Sequence, residues 1–177
     1  VARQPAPTQC SAVLDTHGQA VHGADEGAAS ASDHSDPQPV VLGCIDSRAP
    51  AETIMDLGIG DVFNTRVAGN VANDDILGSM EFACKISGAK VVLVMCHTAC
   101  CPIKGAIDRV ELGNLTGLLA KIQPAVDATA YQGERSAKNY GFVDAVARKN
   151  VELTMAEIHS RSAVIAELET SGAVKIA

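Results

Sequence analysis

The sequence contains few of the side chains that bind nucleic acid. It has no tryptophan, 2 tyrosines and 3 phenylalanines, so there is little aromatic surface on which bases could stack. Lys and Arg number 14 against 21 Asp and Glu, which gives a formal net charge of −7 and no basic excess for a phosphate backbone. We therefore expect no nucleic-acid partner.

Long hydrophobic runs and nucleotide-binding motifs are also missing. The longest strongly apolar run, residues 91–96, is far shorter than the roughly 20 residues that cross a bilayer, so no membrane span is expected. There is no P-loop, and Gly58-x-Gly60 lacks the third glycine of a dinucleotide fingerprint. The first residues do not show the pattern of a targeting segment, in which a basic stretch is followed by an apolar one. The cytoplasm is therefore the expected location, with the periplasm or an organelle left open.

Residues 1–39 differ in composition from the rest of the chain. They hold 4 of the 7 prolines, one basic residue against five acidic ones, and no aromatic residue. Such a stretch buries too little apolar surface to offset its ordering entropy, so we predict an arm that is flexible or draped on a partner subunit. Residues 40–177 are the predicted folded domain, since the chain is long enough for one α/β domain.

From residue 40 onward, short apolar runs alternate with stretches of helical periodicity. Strands are predicted over residues 40–45, 62–67, 90–96 and 173–176. Helices are predicted over residues 51–57, between Asn73 and Gly88, from Pro102 onward, and over residues 114–126, 143–158 and 163–170. This alternation is typical of βαβ units. The predicted fold class is therefore α/β, with an open, mostly parallel sheet flanked by helices.

Two of the predicted strand ends carry metal-binding side chains. Cys44 lies at the end of the first strand, and His97 and Cys100 follow the third. Ligands bind at the carboxyl ends of parallel strands, and the first and third strands are neighbours in the common order 2-1-3. In that order the three side chains meet. Two cysteines and one histidine with an open position indicate catalytic zinc rather than structural zinc, for which protein fills all four positions.

These motifs resemble those of the β-class carbonic anhydrases. The resemblance rests on Cys-x-Asp-Ser-Arg at residues 44–48 and His-x-x-Cys at residues 97–100, and extends over residues 40–176. It implies a catalytic domain that binds one Zn²⁺ per chain through Cys44, His97 and Cys100. It also implies at least a homodimer, with active sites lined by both subunits. The implied reaction is reversible hydration of carbon dioxide to bicarbonate and a proton, through attack by zinc-bound hydroxide.

Asp46 and Arg48 are the catalytic residues that this resemblance implies. The Asp46 carboxylate can accept a hydrogen bond from the attacking group and move the proton outward. An Arg48 guanidinium that grips both carboxylate oxygens keeps Asp46 ionised and away from the fourth zinc position. If the pair opens, Asp46 could itself bind the zinc and switch the enzyme off.

Two departures from the family pattern leave other functions open. Cys96 stands where the family usually has glycine, and Cys101-Pro102 stands where it has Gly-Ala. The additional thiols allow a closed site of three cysteines and one histidine, in a non-catalytic zinc or thiol redox module. The other alternative is a hydrolase of carbon disulfide or carbonyl sulfide on the same scaffold, because attack on these linear molecules needs the same nucleophile.

Overall fold

The computed structural model describes residues 38–58 and 60–177, which form a parallel sheet flanked by helices. The strands are β1 (Val40–Gly43), β2 (Phe63–Arg66), β3 (Val91–Val94) and β4 (Lys175–Ile176). They pair in the order β2–β1–β3–β4, and every pairing is parallel. The α/β prediction is confirmed, as is the adjacency of the first and third strands. Apart from residues 38 and 39, the predicted arm lies outside the described residues.

Helices follow the strands, and polar side chains cap three of them. The helices are α1 (Ala51–Ile54), α2 (Asp74–Glu81), α3 (Cys101–Ile107), α4 (Gly113–Ala128), α5 (Tyr140–Arg161) and α6 (Ala163–Thr170). The side chains of Asn73, Asn139 and Ser162 accept hydrogen bonds from the first-turn N–H groups of α2, α5 and α6. Within the described residues, no helix combines the length and apolar character needed to cross a membrane.

Strand β1 is shorter than the sequence predicts. The strand ends at Gly43 rather than at residue 45, and Ile45 is 60% exposed. Beyond Gly43, the carbonyl oxygens of Cys44 and Asp46 accept hydrogen bonds from the Arg66 guanidinium rather than from a neighbouring strand. The chain therefore leaves the sheet at Cys44, and the residues that follow form a loop at the carboxyl end of β1.

Two clusters of buried apolar residues hold these elements together. The first packs the sheet against α2, α5 and α6. The second joins α3, α4 and α5, and it includes Cys44 and Cys100 together with the fully buried Ile122 and Phe142. Burial of each such large side chain contributes roughly 1.5–3 kcal/mol. The two cysteines therefore lie on a well-packed base rather than on mobile surface loops.

Candidate metal centre and active site

Three candidate ligand atoms converge where β1 and β3 end. Cys44 follows β1, while His97 and Cys100 lie between β3 and α3. The two Sγ atoms and a ring nitrogen of His97 all lie within 4.8 Å of one another. They meet because β1 and β3 are neighbouring parallel strands whose carboxyl ends share one edge of the sheet. The structure thus brings the three predicted ligands together in a site that could hold a metal ion.

One ring nitrogen of His97 lacks a hydrogen-bond partner in the part of the chain that the structure describes. Nδ1 lies 3.0 Å from the carbonyl oxygen of Thr98, so a hydrogen on Nδ1 donates to that carbonyl. This tautomer leaves the Nε2 lone pair available to a cation. Nε2 is buried and has no hydrogen-bond partner among the described residues. A buried nitrogen without a partner costs free energy, and a metal ion at this position would satisfy it.

The thiols of Cys44 and Cys100 are close enough to share a proton. Their Sγ atoms are 3.9 Å apart, and both side chains are buried. The hydrogen bond between them lowers the pKa of Cys44 and, together with burial, raises the pKa of Cys100. One thiol therefore stabilises the other as a thiolate, and loss of the second proton requires a nearby cation. Two sulfurs and one imidazole nitrogen are donors that suit zinc.

The backbone of Gly69 lies directly against this pair. Its N–H donates to Cys44 Sγ at 3.5 Å, and its φ of 69° lies in the left-handed region. A Cβ at this position would lie 2.5 Å from Cδ1 of Ile122 in α4. Glycine is therefore required both for the backbone conformation and for the close packing beside Cys44.

Gly69→Ala is expected to lower the free energy of unfolding by about 2–4 kcal/mol. The new Cβ overlaps Ile122, and the alanine backbone is held in the unfavourable left-handed conformation. Urea unfolding of the metal-free protein measures this change. Gly117→Ala is the matched control, since a Cβ at Gly117 in α4 meets nothing within 4 Å. That variant should be stabilised by up to about 1 kcal/mol. Equal unfolding midpoints for the two variants would contradict the role assigned to Gly69.

Asp46 borders the cluster of candidate ligands formed by Cys44, His97 and Cys100, and it is held by Arg48. Nε and Nη2 of Arg48 donate to the two carboxylate oxygens at 2.9 and 2.7 Å, and the Arg48 backbone N–H donates to Oδ1 at 3.0 Å. These hydrogen bonds hold the pKa of the Asp46 carboxyl far below its usual range. Its Oδ2 lies 3.7 Å from Nε2 of His97. An ionised acceptor therefore adjoins the cluster while Arg48 occupies both of its oxygens.

Arg66 is a site residue that the sequence reasoning missed. Its Nε donates to the carbonyl oxygen of Cys44 at 2.8 Å, and its Nη2 donates to that of Asp46 at 2.5 Å. Arg66 pairs in register with Gly43, so it ends the strand beside β1. The sequence does place this basic residue near the end of the predicted second strand, and that position could have indicated a role beside Cys44. Arg66 fixes the loop that carries both Cys44 and Asp46.

A cavity of about 720 Å³ adjoins Cys44 and Asp46. Its polar lining includes Arg48 and Lys104. The remaining wall is largely apolar and includes Ile45, Ala68, Pro102, Val110, Leu115 and Leu119. The cavity therefore offers a small uncharged molecule an apolar path to the charged groups around the cluster.

The additional cysteines do not join the candidate ligands. Cys101 is exposed and lines the cavity, and Cys96 is half-buried. Among the described residues, the donor atoms that could hold a metal ion come only from Cys44, His97 and Cys100. The described residues therefore do not form a closed site of three cysteines and one histidine. Pro102 lies in the first turn of α3, where its missing N–H breaks no helical hydrogen bond.

Comparison with known protein families and sequences gives one consistent match. A family model described as carbonic anhydrase matches residues 39–177. Carbonic anhydrase 2 of Mycobacterium tuberculosis is 32% identical over 141 residues, which cover 79% of this chain and 67% of that protein. The carbon disulfide hydrolase of Acidithiobacillus thiooxidans is 29% identical over 84 residues, which cover 44% of this chain and 39% of that protein.

Comparison with solved structures agrees on the fold. A structure from a study of two tetrameric β-carbonic anhydrases of the ascomycete Sordaria macrospora matches with a TM-score of 0.67. The match has 21% sequence identity and covers 87% of this chain and 86% of that one. At this level of identity the likeness concerns the fold alone.

Proposed function

The chain belongs to the β-class of the carbonic anhydrase family, and we propose on that basis that it catalyses the reversible hydration of carbon dioxide to bicarbonate and a proton. The observation that carries the proposal is that two sulfur atoms and an imidazole nitrogen lie within 4.8 Å of one another, with an ionised carboxylate beside them. Hydration of carbon dioxide needs a strong oxygen nucleophile and an acceptor that orients it, and this site has residues suited to both tasks.

We propose that Cys44, His97 and Cys100 hold one Zn²⁺ per chain. The unpartnered Nε2 of His97 and the two buried thiols that share a proton fit this ion. Zinc bound there supplies a Lewis acid that lowers the pKa of water, so that a hydroxide nucleophile forms near neutral pH. Binding displaces thiol protons, so the affinity of the site for zinc should rise with pH.

Asp46 orients the nucleophile and passes on its proton. Its carboxylate accepts a hydrogen bond from the attacking hydroxide, which directs an oxygen lone pair toward the carbon of the substrate. Because Arg48 holds the pKa of Asp46 low, the carboxyl group does not store the proton near neutral pH. The proton therefore continues to solvent or buffer. The Arg48 guanidinium also keeps the carboxylate from turning toward the metal ligands.

Hydrolysis of carbon disulfide is the second candidate function. A relative with that name is 29% identical to this chain over 84 residues, and the apolar wall of the cavity suits a linear sulfur compound as well as carbon dioxide. Attack on the central carbon would use the same ligands and the same carboxylate. Only the passage through the cavity would differ between the two substrates.

Substrate choice is tested by two assays on one zinc-loaded sample. Stopped-flow measurements with a pH indicator follow the hydration of carbon dioxide. A sulfide-selective electrode follows the release of hydrogen sulfide from carbon disulfide and carbonyl sulfide. We expect hydration far above the uncatalysed rate and sulfide release near background, with protein stripped of zinc as the control. Hydration at the uncatalysed rate together with rapid sulfide release would reverse the assignment.

We also propose that the chain works as a homodimer or a larger homo-oligomer. The Sordaria macrospora structure is described as tetrameric. In this chain β2 lies at the edge of the sheet, and Phe63 of that strand shares a groove with Phe82, which is 56% exposed. Among the described residues no strand pairs with the outer edge of β2, and such an edge beside exposed apolar surface suits association with a second copy. Light scattering that finds only monomers at micromolar concentration would contradict this proposal.

A further inference from the structure

The segment between the second and third candidate ligands has an unfavourable backbone conformation. Ala99 lies between His97 and Cys100, and its φ of 54° is in the left-handed region. A residue with a Cβ adopts this conformation only at a cost in free energy. Because His97 and Cys100 flank Ala99, a change in its φ would move one ligand relative to the other. Some interaction must therefore hold this backbone in place.

That interaction comes from α5. The Ala99 N–H donates a hydrogen bond to Oδ1 of Asp144 at 3.0 Å, across 45 residues of sequence. Val143 and Val146, which lie close to Asp144 on α5, are fully buried. The carboxylate therefore projects from a helix that is anchored in the core. A hydrogen bond from a backbone N–H to an ionised acceptor is stronger than one to a neutral group.

The same helix also contacts the other side of the cluster of candidate ligands. Nδ2 of Asn150, which is buried, donates to the carbonyl oxygen of Gly69 at 2.8 Å. The N–H of Gly69 in turn donates to Sγ of Cys44. Two polar side chains of α5 therefore reach both backbone segments that surround the three donor atoms. A single contact would be enough to attach one loop to the domain, whereas α5 contacts the backbone on both sides of the candidate ligands.

We propose that Asp144 is a positioning residue for the metal site, which holds Ala99 in its left-handed conformation and thereby sets His97 and Cys100 in the arrangement that binds zinc. The proposal rests on the proposed zinc site. Asp144 does not bind the metal itself, since it lies outside the group of candidate donors in the described residues. Asp144 orders the ligands already in the metal-free protein. Less conformational entropy is then lost when the ion binds, which raises the affinity for zinc.

The experiment measures the zinc dissociation constant of the purified full chain by competition with a chromophoric chelator. Asp144→Ala is expected to raise this constant about 10–100-fold, as the loss of a group that orients ligands typically does. Asp144→Asn keeps an oxygen acceptor but loses its charge, so it should have a smaller effect of less than about tenfold. Glu152→Ala is the control, because Glu152 is exposed on the same helix, and its constant should equal that of the unmodified chain.

A second substitution separates positioning from a general effect of charge or stability. Glycine adopts positive φ without strain, so Ala99→Gly in the Asp144→Ala background should recover most of the lost zinc affinity. A charge effect of Asp144 on the ion would not be recovered in this way. If Asp144→Ala does not fold, Asp144→Asn with and without Ala99→Gly provides the same comparison.

The outcomes are distinguishable from a failure of the proposed function. If the unmodified chain does not bind zinc, both the proposed function and the role of Asp144 are wrong. If it binds zinc and Asp144→Ala binds equally tightly, only the role of Asp144 is wrong. Weakened binding that Ala99→Gly fails to recover also contradicts the proposal, because Asp144 would then act through something other than the backbone of Ala99.

Discussion

Replacing Cys44 with serine is expected to abolish zinc binding and carbon dioxide hydration together. The Cys44 Sγ lies among the candidate donors, and the hydrogen bond from Cys100 already favours its thiolate form. A serine hydroxyl is a poor substitute because it does not ionise near neutral pH. Zinc affinity should fall by more than the roughly 10–100-fold typical of residues that only orient ligands. Metal analysis after dialysis and a stopped-flow hydration assay measure the two losses.

Cys101→Ser is the matched control for this experiment. Cys101 follows the candidate ligand Cys100 directly, but it is exposed and lies outside the donor group of the described residues. The variant should keep about one zinc ion per chain. Circular dichroism checks that Cys44→Ser remains folded, since Cys44 is part of the buried core. Full zinc occupancy in Cys44→Ser would show that the ligand is misassigned, and zinc loss in Cys101→Ser would favour a closed thiolate site.

Asp46→Asn is expected to retain zinc but to lower kcat by about 10²–10⁴-fold, the range typical of a lost acid–base group. The amide keeps the size of the carboxylate but loses its charge and one acceptor oxygen, so it orients the attacking hydroxide poorly. The amide also weakens the hydrogen bonds from Arg48, which donates to both oxygens of the carboxylate. Steady-state hydration kinetics on samples of known zinc content measure the change.

The control for this prediction is Asp127→Asn, the same substitution at an exposed position of α4 and away from the cavity. Its kcat should equal that of the unmodified chain. An unchanged kcat in Asp46→Asn would remove Asp46 from the mechanism. Loss of zinc in that variant would instead indicate that Asp46 takes part in holding the metal.

Much of the fold follows from local signals in the sequence. The helix predicted over residues 163–170 is confirmed to the residue, because the Ser162 cap marks where it begins. The first strand was predicted too long by two residues. An apolar run shows where a strand can form, but the end of β1 depends on Arg66, which is 22 residues from Cys44 in the sequence.

The candidate ligands could be predicted from a general rule of topology. The carboxyl ends of neighbouring parallel strands share one edge of the sheet, so cysteines and a histidine at two such ends had to lie near one another. Asp46 and Arg48 are two residues apart, and their pairing is therefore a local matter. Asp144 carried no comparable signal, because its contact with Ala99 depends on how α5 crosses the loop after β3.

The sequence by itself determined the α/β architecture, the donor types of the metal site and the carboxylate–guanidinium pair beside it. These depend on apolar periodicity, on side-chain chemistry and on spacings of a few residues. Only the tertiary structure decided that Cys101 stays outside the donor group and that Arg66, Gly69 and Asp144 support the site. The physical reason is that such contacts join residues 20 to 45 positions apart, and their distances are set by the packing of whole helices and strands.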